Sequence, residues 1–245
     1  MAHTTPIPPD LNAATQEILR FLTTPPYEIN DTISPQDLIS GYTKWREKTS
    51  TSPSGRHLGH YKSMLYNPKA ASDPDAIPFT QTFFTVQSLI MNSCLRSGYI
   101  LDRWKAVINS MIEKIPGTPR IDKLRVIHLF ESDINLVFGI LWNRRLLHRC
   151  EHEQILGDEQ WGSRPGKAAA DVAAMKLLTY EISHLTRTDH GTFDHDAKSC
   201  YDRIIPNLAM MTSRHYGMTR AGIRLMGQFL LHARYQLATS LEHSA

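Results

Sequence analysis

The run Phe193-Asp194-His195-Asp196-Ala197-Lys198-Ser199-Cys200-Tyr201-Asp202-Arg203 sets carboxylates at 194, 196 and 202 where strand composition gives way to helix composition. If residues 192–197 are extended, side-chain alternation puts Asp194 and Asp196 on one face. Two close carboxylates repel. Such a pair is tolerated when protonated, paired with a cation or holding a metal, and Mg²⁺ favours one or two carboxylates plus phosphate oxygens. Strand-end aspartates are more often solvated or cap the next helix, and spacing alone does not choose between these uses.

Outward from this run the chain alternates helical and strand-like patterns. A short helix is predicted over 11–22, ended by Pro25-Pro26, and a second from the Ser34-Pro35 cap through Trp45. Residues 48–63 mix Ser, Thr, Pro and Gly with Lys48, Arg56, His57, His60 and Lys62, which predicts an irregular, exposed, basic loop. His57 and His60 have no cysteine or third histidine at ligand spacing, so zinc is not expected. Phe79, Phe83, Val86, Leu89, Ile90 and Cys94 recur at helical spacing, which predicts a core-facing stripe stopped by Gly98.

Two β-rich runs, 106–115 and 123–130, flank Pro116-Gly117-Thr118-Pro119 and predict a hairpin. Helices are predicted from a Ser132 or Asp133 cap through Arg145, and over 167–185 with Val172, Met175, Leu178, Ile182 and Leu185 on one face. Two more are predicted over 206–216 and 219–237. The fold class is α+β, with provisional segments 1–50, 51–187 and 188–245.

At 245 residues and 41% hydrophobic content the chain can bury a core, which excludes disorder throughout. Its 27 basic and 24 acidic residues nearly balance, so a polyanion partner has to be argued from local placement. Cys94, Cys150 and Cys200 form no CxxC pair and read as reduced thiols. No apolar run approaches a membrane span, and a soluble intracellular protein with no membrane partner is expected.

Asp196, four residues, then Tyr201-Asp202-Arg203-Ile204 resembles the first palm motif of reverse transcriptases, particularly those of non-LTR retrotransposons. Upstream, Ile112-Glu113-Lys114, the hairpin and Lys123-Leu124-Arg125-Val126-Ile127 resemble the fingers motifs, in matching order. Gln160-Trp161-Gly162-Ser163-Arg164-Pro165-Gly166 resembles the family's Gln-x-Gly-Phe-Arg-x-Gly segment, with Ser163 replacing an aromatic. The segment around Arg56 resembles the lead-in of some retroelement polymerases. The resemblance covers roughly 50–240 and implies helix-rich fingers with a β-hairpin and a partial, truncated right-hand palm.

It further implies RNA-directed DNA polymerisation by two-metal nucleotidyl transfer, with Mg²⁺ or Mn²⁺ as cofactor and primer–template and dNTP as partners. Asp196 becomes the catalytic metal ligand, with the Ala197 carbonyl on the same ion. Tyr201 becomes the residue beneath the incoming sugar, and Lys114 and Arg125 the grip on the triphosphate. Arg56, Lys123, Arg164 and Lys167 become nucleic-acid contacts; exposed cations are also commonly just solvated. The family's later Asp-Asp motif is absent from the 245 residues, so a fragment inactive alone is expected. The alternatives are a nucleic-acid-binding remnant and, further off, a metal-dependent hydrolase using Asp194, Asp196 and His190 or His195.

Overall fold

A computed structural model describes residues 8–23, 27–46, 54–65, 76–118, 120–192 and 203–238. The chain is mostly helical with one three-stranded mixed sheet, an α+β architecture, and divides into two compact units. The first comprises Met1–His148 with Pro206–Ala245, the second Arg149–Ile205.

In the first unit, α1 (Ala13–Thr23) starts where the Asn12 side chain accepts the Thr15 amide, and it packs on α8 (Pro206–His215). α2 (Pro35–Lys44) has the cap its sequence predicts: Ser34 and Asp37 satisfy each other's backbone amides, with Pro35 in the first turn. It packs on α4 (Ala76–Ser97) and buries Leu38, Gly41 and Tyr42. α8 stops at Gly217, whose φ of 104° ordinary residues avoid. α9 (Arg220–His232) is capped by Thr219, which accepts the Gly222 amide at 3.1 Å, and inserts Leu225 and Phe229 into the core with Trp104, Phe84 and Ile134.

Several expectations need correction. The segment predicted as loop contains α3 (Leu58–Ser63), because Leu58 and Tyr61, three apart, bury one face and the Tyr61 ring stacks on Tyr42 at 4.6 Å. The His57 ring caps that helix, its Nδ1 accepting the Gly59 amide at 3.0 Å.

The second correction concerns α4, where Cys94 of the predicted stripe is buried and Phe83 half-buried but the rest of the stripe is not. Thr80, Phe84, Gln87, Ser88, Met91 and Asn92 lie inside, while Phe79, Val86, Leu89 and Ile90 are exposed. The polar groups can be buried because they are bonded. Asn92 accepts the Ile33 amide and donates to the Ile33 carbonyl, both at 2.8 Å, and Gln87 donates to the Tyr42 hydroxyl at 2.9 Å.

Thirdly, α9 ends at His232, and β3 (Arg234–Ala238) replaces the continuation of the helix predicted to residue 237.

β1 (Ala106–Glu113) and β2 (Leu124–Leu129) form the predicted hairpin, running from Ile108 opposite Leu129 to Glu113 opposite Leu124. β3 joins the other edge of β1 in parallel, Val107 opposite Tyr235, giving the order β2-β1-β3. α5 (Ser132–Phe138) follows, its N-cap falling on Glu131 rather than on Ser132 or Asp133, and continues through a π-helical stretch, Gly139–Leu147. α6 (His148–His152) leads the chain into the second unit.

The second unit holds α7 (Ala169–Thr186), where sequence periodicity placed a helix. Its predicted apolar face is not a core face: Met175, Leu178, Ile182 and Leu185 are exposed and Val172 is half-buried. Cys94 and Cys150 are buried free thiols.

Candidate nucleic-acid interface

The hairpin turns at Ile115-Pro116-Gly117-Thr118, where the Thr118 amide donates to the Ile115 carbonyl at 3.1 Å and Gly117 has a φ of 79°. Proline at the second position and a positive-φ glycine at the third are the requirements of a type II turn. Beyond the ladder, the Lys114 amide donates to the Lys123 carbonyl at 2.9 Å, which brings those residues level. Arg125 lies opposite Ile112. Arg125 belongs to β2, Lys114 directly follows β1 and Lys123 closes a 3-10 turn directly before β2, so the three cations meet at the turn end of the hairpin.

All three are exposed, and among the described residues none has an ion-pair partner. The nearby acids are engaged elsewhere. Glu113 accepts the Gly117 amide at 2.7 Å, and Asp122 is gripped by Arg120 at 3.1 and 3.3 Å. The outcome is a group of three exposed cations at the hairpin end, without ion-pair partners among the described residues and able to hold phosphate oxygens without first breaking an ion pair.

Arg164 and Lys167 are differently employed. Arg164 makes a two-pronged bridge to Glu151 at 2.7 and 2.8 Å and donates to the Gly157 and Gln160 carbonyls. The guanidinium holds the Glu151 carboxyl below the usual carboxylate range. Lys167 sits over the Trp161 ring, 4.7 Å from its centre, and donates to the Asp158 carbonyl at 3.2 Å. The Gln-x-Gly-x-Arg-x-Gly segment is thus a turn closed by its own cations.

Arg56 is exposed beside a cavity of about 340 Å³ whose walls include Phe79, Phe83, Val86, Ile90 and Met91. Below it lies a polar cluster that sequence reasoning missed. Asp133, with no exposed surface, bonds Arg103 and accepts the Trp104 indole N–H at 2.8 Å; buried Glu131 stands 3.8 Å from Arg103. Burial alone lowers the Arg103 pKa, and the bond to Asp133 reverses this to a net rise. Burial and the Asp133 charge push Tyr61 up to about 12, against the opposing pull of Arg103 and Arg56. The signal was present in the sequence: an antiparallel hairpin returns residues 131–133 to residues 103–104, so an Arg-Trp before it and a Glu-Ser-Asp after it adjoin.

Asp196, Ala197 and Tyr201 lie outside the described residues, together with Asp194 and Asp202. Among the described residues no group of three or more His, Cys, Asp or Glu side chains is placed to hold a metal ion. No described helix is long and apolar enough to cross a membrane. No protein-family model matches the chain, and no curated protein matches it either.

Proposed function

We propose that this chain is a reverse-transcriptase-type region of a retroelement, ancestrally an RNA-directed DNA polymerase, and that it grips nucleic acid or nucleotide phosphates through the hairpin. The observation that carries this is the meeting of Lys114, Lys123 and Arg125 at one hairpin end, with the neighbouring Glu113 and Asp122 bonded to Gly117 and Arg120, upstream of the Asp196/Tyr201-Asp202 motif. In this reading Lys114 and Arg125 hold the triphosphate, Lys123 the template backbone, and Tyr201 the incoming sugar. Asp196 and the Ala197 carbonyl are the groups that would hold Mg²⁺ or Mn²⁺, which supplies charge neutralisation at the transferring phosphate. One metal-binding carboxylate motif without an Asp-Asp pair does not build a two-ion site, so residues 1–245 by themselves bind without polymerising.

The test is equilibrium binding of a labelled RNA–DNA primer–template across a salt series, comparing the wild type with Lys114→Ala/Lys123→Ala/Arg125→Ala. The expected result is salt-sensitive binding whose log–log slope shrinks by roughly one for each phosphate-contacting cation removed. Equal binding and equal slopes contradict the proposal.

A further inference from the structure

A second concavity, about 310 Å³, opens between the C-terminal end of α2 and the π-helical stretch. Lys44, Trp45, Asn135, Asn143 and Arg144 line it, and among the described residues no acid does. Among the described residues neither Lys44 nor Arg144 has an ion-pair partner, whereas the adjacent Arg145 is spent on Asp37 at 2.7 Å and on the Asn30 carbonyl. The walls are fixed by that bridge and by the close approach of Gly41 to Leu136. In a π-helix, bonding runs from i to i+5, so the turn is wide and Asn143 and Arg144 both come over Gly139. Regular π-helical turns are rare and concentrate at functional sites.

We infer that this groove is a separate site for single-stranded nucleic acid, with Lys44 and Arg144 on consecutive phosphates, a base against Trp45 and the two amides on base edges. Cations on a backbone track beside an aromatic platform are the chemistry of sequence-tolerant single-strand binding. Asparagine amides offer a donor and an acceptor together, which suits base edges better than an acidic peptide, whose side chains only accept. The volume suits a nucleotide-sized occupant. This inference rests on the reading that the chain handles nucleic acid, but it uses none of the hairpin residues.

Gly139 provides a test that leaves the charges in place. It has ordinary helical dihedrals, and a Cβ there meets nothing within 4 Å, so a larger side chain projects into open space in the groove. Binding of a labelled oligouridylate of about 12 nucleotides is measured for the wild type, Lys44→Ala/Arg144→Ala, Gly139→Leu and the hairpin triple variant. Thermal unfolding of each establishes that it is folded. The expected result is at least tenfold weaker binding for the double variant with a salt slope smaller by about 1.4, and weaker binding for Gly139→Leu at unchanged slope. If both groove variants bind as wild type while the hairpin variant does not, the groove inference falls and the hairpin reading stands. If no variant changes binding, both fall. Equal displacement of the oligonucleotide by polyglutamate at matched charge also overturns the groove assignment, because it shows a polyanion surface with no role for the base.

Discussion

Buried Asp133 and half-buried Arg103 form an ion pair that closes the base of the hairpin, the carboxylate also taking the indole N–H of Trp104. One residue precedes β1 and the other follows β2, so the pair ties the two ends of the hairpin to the helical core. Removing Asp133 leaves the half-buried Arg103 with Glu131 at 3.8 Å and leaves the buried Trp104 indole N–H without its acceptor. Asp133→Ala is expected to cost about 1–3 kcal/mol in urea-denaturation stability, and Asp133→Asn, which keeps an acceptor for Trp104, is expected to cost less.

The same cluster makes stability fall in alkali. Burial raises the Tyr61 hydroxyl from its ordinary value of 10.0 to about 12, so folding favours the protonated phenol. Below pH about 10 both states hold the proton and the contribution is full; between about 10 and 12 the unfolded chain loses it first, and stability falls as pH rises. Tyr42, raised in the same direction chiefly by burial, adds to the effect. Denaturation midpoints measured across this window are expected to fall more steeply in the wild type than in Tyr61→Phe.

Two glycines on the α2–α5 side are expected to respond in opposite ways. A Cβ on Gly41 comes within 2.9 Å of Leu136 Cδ2, and Leu136 is itself buried, so Gly41→Ala requires the Leu136 side chain to leave its place in the packing. Overpacking of this kind typically costs about 1–3 kcal/mol. Gly139→Ala meets nothing, and differential scanning calorimetry is expected to show it unchanged or slightly stabilised.

In the second unit, the bridge from Arg164 keeps the Glu151 carboxyl below its ordinary range. The sign follows: the turn gains from this bridge above the ordinary carboxylate pKa and loses it as pH falls through the lowered value. An NMR titration of Glu151 is expected to move up toward the ordinary range in Arg164→Ala.

What the sequence made legible was mostly local. The Ser34-Pro35 start of α2 and the Pro116-Gly117 turn are set by backbone chemistry within four residues, and both formed where predicted. The extent of α4 was legible too, but not its inward face, because the bond that buries Asn92 is to Ile33, 59 residues away. β3 was hidden for a similar reason: Tyr235 and Leu237 continue a helical period and become a strand only by pairing with β1 across the chain. The cations of the candidate site show the same division. Arg164 and Arg125 look alike in sequence, yet one is consumed by Glu151 and the other stands without an acidic partner among the described residues.

The central claim is that the hairpin end meets nucleic acid, and the most direct test is photocrosslinking of the chain to a 4-thiouridine-substituted primer–template, with the attached peptides mapped by mass spectrometry. The account requires cross-links on peptides containing Lys114, Lys123 or Arg125, lost at high salt. Cross-links confined to peptides outside residues 106–130, or none at low salt, contradict it.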